Sequence, residues 1–135
     1  MVFGAKYWKK HERRRHPRVN VLFPVQYVVI PKVLKDIDVE PASLGICRNI
    51  SGGGILLEVA QLKEEMLLCD NLLKLEVKLP DENNPIYIFS RLIKAEKSLT
   101  EDSYYLRLCF VNIDEGTREK IMGFTDKCRS KKARG

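Results

Sequence analysis

Two short polar segments of this chain carry residue types that can bind a nucleotide. Arginines crowd the first segment, RRRHPR at residues 13–18, and three glycines end the second, RNISGGG at residues 48–54. A guanidinium offers planar, forked donors that match phosphate oxygens and the O6/N7 edge of guanine, and its flat face can stack on an aromatic ring. Lysine supplies the charge without the fork or the plane. The arginine cluster therefore points to a ligand that contains both guanine and phosphate.

The second segment adds short polar side chains and open space. Asn49 and Ser51 are two residues apart, so on a strand both would point to one face. Gly54 has no Cβ, which lets backbone or ligand approach closely. Pro17 disfavours helix at the residue before it, so the segment that leads to Arg18 is predicted to be extended. Such a segment would lie across the surface of the folded body, next to the turn.

Hydrophobic periodicity predicts the strands that must position these segments. Apolar residues alternate from Val19 to Val29, and Pro24 within this run indicates an edge position, a bulge or a bend. Residues 31–42 are predicted to form a loop, and residues 61–72 a loop or a short helix. Similar alternation between turn signals, the best of them the hairpin turn at 51–54, predicts further strands at about 44–50, 55–59, 73–79, 86–97 and 104–112.

The last part of the chain changes to a helical period. Asp114 suits the N-cap of a helix, and Ile121, Phe124 and Cys128 fall on one face of that helix. Short antiparallel strands with hairpin connections favour a closed or nearly closed barrel, because closure removes exposed strand edges. The sequence therefore predicts a mainly β fold in which the final helix covers one open end of a barrel.

Composition and charge limit the classes of partner. The chain has 135 residues and a net charge of +6, which suits one domain with its own hydrophobic core. Residues 1–18 carry seven basic and one acidic side chain, residues 127–135 carry five basic and no acidic ones, and the middle is net acidic. Basic ends on an acidic body suggest an anionic partner, although we interpret the C-terminal basic run as a solvated tail.

Neither an enzyme nor a metal site is predicted. The four cysteines lack CxxC spacing and lie far in sequence from the two histidines, so no metal is expected. No Ser-His-Asp or Cys-His arrangement, Walker loop or credible pair of carboxylates supports catalysis. The N-terminus lacks the apolar segment of a secretory signal, and no apolar run is long enough to span a membrane. The cytoplasm is therefore the expected compartment.

The two polar segments together resemble the motifs of a known family. Arg14-x-x-x-Arg18 followed by Asn49-x-Ser51-x-x-Gly54 is similar to the paired RxxxR and (D/N)xSxxG motifs of the PilZ domain family, and the resemblance covers nearly the whole chain. It implies a PilZ-type barrel of six antiparallel strands with a C-terminal α-helix. It also implies that the chain binds cyclic di-GMP as a ligand and needs no cofactor.

The resemblance further implies roles for individual residues. Arg14 and Arg18 would contact the phosphates and guanine of cyclic di-GMP. Asn49 and Ser51 would hydrogen-bond a guanine edge or a nearby phosphate, and Gly54 would keep the surface open. Arg13 is compatible with a stacked pair of ligand molecules, and the sequence leaves open whether one or two ligand molecules bind. The secondary candidates are Arg15, Arg48 and Gly53.

The predicted organisation is a flexible basic segment at 1–11, a PilZ domain at 12–126 and a basic tail at 127–135. In this interpretation the chain is a sensor or adaptor whose arginine segment changes conformation when cyclic di-GMP binds, and the signal leaves through an unidentified partner protein. Two alternatives stay open. One is a PilZ-like interaction scaffold that binds no nucleotide, and the other, less favoured, is a basic β-barrel that binds nucleic acid, with steep salt dependence.

Overall fold

The described part of the chain folds into strands followed by one long helix. The computed structural model describes residues 18–30, 42–67 and 71–134, with side chains up to Ser130. The predicted loop at 31–42 thus lies, except for its last residue, outside the described residues. Within these ranges the elements are β1 Val19–Ile30, β2 Ser43–Ile50, β3 Gly54–Val59, a short 3-10 helix Glu64–Leu67, β4 Leu72–Val77, β5 Ile86–Lys97, β6 Tyr104–Val111 and α1 Glu115–Arg134.

The strands close into a barrel in the order β1-β2-β3-β6-β5-β4. Every neighbouring pair is antiparallel. The consecutive pairs β1–β2, β2–β3, β4–β5 and β5–β6 are hydrogen-bonded neighbours, whereas the pairs β3–β6 and β1–β4 close the barrel. Closure gives each of the described strands a hydrogen-bonded neighbour on both sides. The predicted mainly β fold, a six-stranded antiparallel barrel with a C-terminal helix, is confirmed.

Alternate residues of every strand fill the barrel interior. On β1, the buried Val25 and Tyr27 alternate with the exposed Pro24 and Gln26, which is the pattern expected of a strand with one face in a core. Burying one such aliphatic side chain contributes about 1.5–3 kcal/mol. The most completely buried side chains include Ile50, Leu57, Leu73, Leu75, Val77 and Leu106.

Register shifts occur in three of the described strands, and on β2 and β5 they interrupt this alternation. On β1 the shift lies between Asn20 and Phe23. Pro24 follows it directly, and pairing with β4 starts only at Val25, so the missing N–H of the proline interrupts no pairing on the β4 side. A bulge inserts one unpaired residue and turns the side chains beyond it to the other face of the sheet. The other two shifts lie between Cys47 and Asn49 on β2 and between Leu92 and Lys94 on β5.

The helix α1 begins at a well-defined cap. Asn112 has a φ of 52°, a left-handed conformation that asparagine tolerates better than most residues, and it turns the chain out of β6. The Asp114 carboxylate accepts a hydrogen bond from the backbone N–H of Thr117 at 2.7 Å and another from its hydroxyl at 3.0 Å. These bonds hold the pKa of Asp114 below its ordinary value. The predicted N-cap is therefore present.

The helix packs its apolar face against the first strand. Ile121 and Phe124 are buried, and the Phe124 ring meets Phe23 of β1 edge to face, with centroids 6.0 Å apart. The helix then continues to Arg134, through most of the segment predicted as a tail. Cations near a helix C-terminus interact favourably with the macrodipole, which gives this basic run a reason to stay helical. Among the described residues, no helix is long and apolar enough to cross a membrane.

Candidate functional site

A cavity of about 350 Å³ opens on the barrel surface where the β2–β3 turn meets β5 and β6. Its volume lies at the lower end of the range of small-molecule sites in proteins, roughly 300–1,000 Å³. It brings together Arg18, the last arginine of the first motif, the second motif, and residues of β3, β5 and β6 that sequence spacing does not connect to them. The lining residues are Arg18, Asn49, Ser51, Gly53, Gly54, Ile55, Ile93, Arg107, Leu108 and Cys109.

Ser51 organises the turn between β2 and β3, residues Ser51–Gly54, which we call the glycine turn. Its N–H donates to the Gly54 carbonyl at 2.9 Å. Its hydroxyl oxygen accepts the N–H groups of Gly53 at 3.1 Å and Gly54 at 3.2 Å. The Ser51 side chain is buried although it lines the cavity. Its oxygen is therefore used inside the turn, and the proton of its hydroxyl is what it can offer a ligand.

Gly54 is required by a close approach of two strands. A Cβ at this position would lie 2.4 Å from the carbonyl oxygen of Leu108 on β6, a backbone atom that cannot move aside. None of the described glycines has a positive φ, so the glycines of this turn are not there for a left-handed backbone. Gly54 instead lets β3 approach β6, and it lines the cavity.

The bulge on β2 turns Asn49 toward the cavity. Cys47 and Ile50 are both fully buried, and the two residues between them, Arg48 and Asn49, are exposed and half-buried. Strict alternation would send one of these two inward, so the register shift explains how both avoid the core. Asn49 lines the cavity, whereas Arg48 does not and pairs with Glu58 at 3.5 Å.

Two arginines line the cavity from opposite parts of the chain. Arg18, exposed, stands just before β1, and Arg107, half-buried, projects from the middle of β6. The lining residues include no carboxylate, so the cavity presents cationic and neutral donors to an anion. Sequence analysis did not select Arg107, because only the pairing of β3 with β6 brings it beside Gly54. The candidates Arg13, Arg14 and Arg15 lie outside the described residues.

Apolar side chains complete the lining. Ile55 and Leu108 are almost fully buried at the cavity floor, while 59% of Ile93 is exposed. Ile93 is the extra residue of the β5 bulge, between Leu92 and Lys94. A bulge commonly redirects a side chain beside a functional site. An exposed aliphatic group next to guanidinium groups suits the flat face of a purine base.

The glycine turn is also held by two residues that do not line the cavity. The Gly53 carbonyl accepts the N–H of Phe110 on β6 at 3.0 Å. The Gly52 carbonyl accepts Nε of Arg118, on α1, at 3.2 Å. The turn is thus fixed by its own serine, by a neighbouring strand and by the helix.

Two cysteines near the site differ in environment. Burial raises the pKa of the Cys47 thiol, which makes it an inert part of the core. Cys109 is exposed and lines the cavity opposite Gly54 in the β3–β6 pairing. The part of the chain that the structure describes contains no group of three or more side chains able to hold a metal ion.

A groove next to the cavity shares Arg107 with it. Lys94, Glu96 and Tyr105 also line this groove, whose volume is about 160 Å³. The hydrogen bond and charge of Lys94, with a smaller contribution from Arg107, hold the pKa of Glu96 below its ordinary value. Glu96, which lines this groove together with Arg107, is therefore already partnered by Lys94.

Comparison with known proteins identifies the family of this fold. A model of the PilZ domain matches residues 12–127, which confirms the resemblance drawn from the two motifs. A search of curated proteins found no relative of this chain. Among solved structures, the inhibitor of motility MotI/DgrA from Bacillus subtilis is similar, with a TM-score of 0.65 and 19% identity over 90% of this chain and 52% of its own.

Two structures of YcgR from Escherichia coli are also similar. YcgR in complex with c-di-GMP has a TM-score of 0.60 and 15% identity, over 90% of this chain and 48% of its own. The PilZ domain of YcgR with c-di-GMP has a TM-score of 0.58 and 15% identity, over 91% of this chain and 99% of its own. This chain thus spans about half the length of MotI/DgrA and of the longer YcgR structure. At such identities the likeness shows the fold.

Proposed function

This chain belongs to the PilZ domain family, and on that premise we propose that it is a receptor for cyclic di-GMP. The proposed binding site is the cavity beside the glycine turn. The receptor acts by binding and conformational change, without catalysis. The cytoplasm remains its expected compartment.

One observation carries the proposal: the fold brings the last arginine of the first motif together with the polar residues of the second. Arg18, Asn49 and Ser51 line one cavity although they are far apart in sequence. Cyclic di-GMP presents phosphates, which are matched by guanidinium groups, and guanine edges, which are matched by guanidinium and amide groups. The absence of carboxylates among the lining residues favours an anionic ligand of this kind. The c-di-GMP complexes of YcgR have the same fold.

Six of the ten lining residues have a role in this proposal. Arg18 and Arg107 approach from β1 and β6, so they can hold a phosphate and a guanine edge from two sides. Asn49 offers an amide that can donate and accept, and Ser51 offers its hydroxyl proton. Ile93, exposed on its bulge, packs against a base face. Gly54 leaves room on the floor for the ligand to approach the backbone.

The N-terminal arginine segment completes the site in this proposal. Arg13 and Arg14, with Arg15 as a secondary candidate, lie outside the described residues and are proposed from their closeness in sequence to Arg18. Binding of cyclic di-GMP would draw this segment against the barrel. A ligand shifts such an equilibrium only by its difference in affinity for the two arrangements. The contacts of these arginines supply that difference, and the rearranged segment presents the signal to a partner protein.

Calorimetric titration of the purified chain with cyclic di-GMP tests the proposal. We expect micromolar or tighter binding, and a molar ratio that distinguishes one ligand from a stacked pair. Arg18→Ala should weaken binding on the order of 100-fold, because it removes a charged partner of the ligand. Arg129→Ala is the matched control, since it removes an exposed arginine of α1 that does not line the cavity, and its affinity should equal that of the wild type.

Cyclic di-AMP provides the second control. Adenine offers a donor where guanine offers the O6 acceptor, so a site that reads guanine should reject it. Absence of heat, together with no shift in the melting temperature at saturating cyclic di-GMP, would refute the proposal. Equal binding of both dinucleotides, falling steeply with salt, would instead indicate a nonspecific anion site.

A further inference from the structure

A side chain of helix α1 donates a hydrogen bond to the glycine turn. Arg118, the fourth residue of α1, donates from Nε to the Gly52 carbonyl at 3.2 Å. Its terminal nitrogen Nη1 lies 3.5 Å from the Glu115 carboxylate on the same helix, on the solvent side. The Arg118 side chain is 30% exposed, so most of its surface is covered. The guanidinium therefore bridges the first turn of α1 and the glycine turn of the proposed ligand site.

The position of this arginine is unfavourable by local helix rules. A cation near the N-terminus of a helix opposes the macrodipole, whose positive end lies there. Residues that break a local rule in this way are often retained for a role elsewhere. The acceptor of Arg118 is a backbone carbonyl of the turn, distant in sequence from the helix. The contact with Gly52 thus gives a reason for an arginine at this place.

The helix that presents Arg118 is itself firmly placed. Asp114 caps its first turn through two hydrogen bonds to Thr117. Further along, Phe124 packs edge to face on Phe23 of β1, and Ile121 is fully buried. A side chain held from a fixed base can fix its acceptor in turn. The Gly52 carbonyl is therefore held by a rigid element, and the cavity side of the turn carries the ligand-binding groups.

We propose that Arg118 is a positioning residue that couples helix α1 to the ligand site through the glycine turn. It holds the turn in the arrangement in which Asn49, Ser51 and Gly54 line the cavity. Because coupling is reciprocal, a ligand that stabilises this arrangement must also stabilise the contact with α1. Ligand binding at the glycine turn therefore also stabilises the position of helix α1. This inference rests on the proposed function.

Arg118→Gln tests the coupling, with Arg129→Gln as the matched control. Both substitutions remove one positive charge from α1, but only the first removes the donor to Gly52. We expect Arg118→Gln to weaken binding of cyclic di-GMP about tenfold, which lies within the usual range of coupling between sites. Arg129→Gln should bind as the wild type does. Glu115→Gln, which removes the ion pair on the solvent side and keeps the contact with Gly52, should also bind normally.

Amide hydrogen exchange supplies a readout that a merely structural role would not change. In the wild type, cyclic di-GMP should slow exchange both in the glycine turn and in the first two turns of α1. In Arg118→Gln, measured at ligand concentrations that saturate it, the turn should still be protected while the additional protection of α1 is lost. The melting temperature without ligand confirms that the variant is folded, and Arg118→Lys replaces it if it is not.

The outcomes separate this inference from the proposed function. If the wild type fails to bind cyclic di-GMP, the proposed function falls, and the coupling with it. If the wild type binds, but Arg118→Gln binds equally well or keeps the full ligand-induced protection of α1, the site stands and the role of Arg118 is wrong. Equal losses of affinity in Arg118→Gln and Arg129→Gln would show a long-range charge effect, and would also overturn the role of Arg118.

Discussion

Two turns at opposite ends of the barrel use the same hydrogen-bonding device, yet only one of them lies beside a cavity. In the glycine turn, the Ser51 hydroxyl accepts the N–H groups of residues 53 and 54. In the turn between β5 and β6, residues Ser98–Ser103, the Ser98 hydroxyl accepts the N–H of Thr100 at 3.3 Å and of Glu101 at 3.1 Å. A serine that closes a turn is therefore not by itself a sign of a binding site.

The surroundings of the two turns differ in space and in charge. The second turn, which we call the acidic turn, carries the exposed Glu101 and Asp102 and a fully exposed Leu99 at its tip. Its other serine, Ser103, donates to the Glu58 carboxylate at 2.6 Å. The glycine turn instead has two arginines beside it and no carboxylate among the residues of its cavity. The glycine turn differs from the acidic turn because its small residues leave space and because cations face that space.

The largest effect is expected when the space beside the glycine turn is filled. Gly54→Ala places a Cβ 2.4 Å from the Leu108 carbonyl oxygen, so β3 and β6 must move apart. Overpacking of this kind costs about 1–3 kcal/mol in the free energy of unfolding. We expect thermal unfolding to show the loss and calorimetry to show that cyclic di-GMP no longer binds at the wild-type affinity.

Two controls limit that result to the site of the clash. Gly123→Ala puts a Cβ where nothing lies within 4 Å, and should stabilise α1 by about 1 kcal/mol. Leu99→Ala, at the tip of the acidic turn, should change stability by less than about 0.5 kcal/mol. Unchanged stability and unchanged binding in Gly54→Ala would contradict the close approach described for β3 and β6.

The charged side chains beside the two turns should differ in their effect on ligand binding. Arg107→Gln should weaken cyclic di-GMP binding about tenfold, equivalent to about 1.4 kcal/mol, because one of two described guanidinium groups leaves the cavity. Lys97→Gln is the matched change beside the acidic turn, where Lys97 lies 3.6 Å from Asp102 and 5.5 Å from the ring centre of Tyr104. It should leave the affinity unchanged in the same titration.

Salt distinguishes a specific role of Arg107 from a general one. If Arg107→Gln and Lys97→Gln lose affinity equally at low salt and both recover at high salt, the effect is one of net charge. A loss confined to Arg107→Gln that persists at high salt supports direct contact with the ligand.

Whether the sequence predicts a feature depends on whether that feature is local or nonlocal in the chain. Alternation alone placed the strands close to their observed bounds, including Val19–Ile30 and Ile86–Lys97. The cap at Asp114 follows equally from local chemistry. These features depend on a few neighbouring residues, and a single periodicity or short motif predicts each of them.

The cavity depended on information that no single segment carries. Arg107 joins the site through the pairing of β3 with β6, and Ile93 through a bulge that alternation cannot locate. The bulge on β2 turns Asn49 toward the cavity, and Ser51 joins it from the glycine turn just beyond the end of the strand at Ile50. The basic C-terminal run looked like a solvated tail because its composition says nothing about the helix that precedes it.

A smaller effect compares the two serines directly. Ser51→Ala and Ser98→Ala each leave two backbone N–H groups without their acceptor. Each substitution should cost about 1–2 kcal/mol in the free energy of unfolding, measured with denaturant. Only Ser51→Ala should also weaken binding of cyclic di-GMP, severalfold, because only the glycine turn faces the cavity. Weaker binding in both variants to the same extent would trace the effect to stability and contradict a local role.

The smallest expected effect is that of acid on the cap of α1, the helix that supports the glycine turn. The pKa of Asp114 is lowered by hydrogen bonds from the backbone and side chain of Thr117. A lowered pKa in the folded state means that the cap stabilises the fold above the unfolded pKa, about 3.9, and that this contribution is lost as the pH falls through the folded value. Asp114→Asn keeps an N-cap acceptor of similar quality without the titration. The melting temperature of the wild type relative to Asp114→Asn should therefore fall on acidification below about pH 4, whereas a difference that is independent of pH would show that the charge of Asp114 does not contribute to the cap.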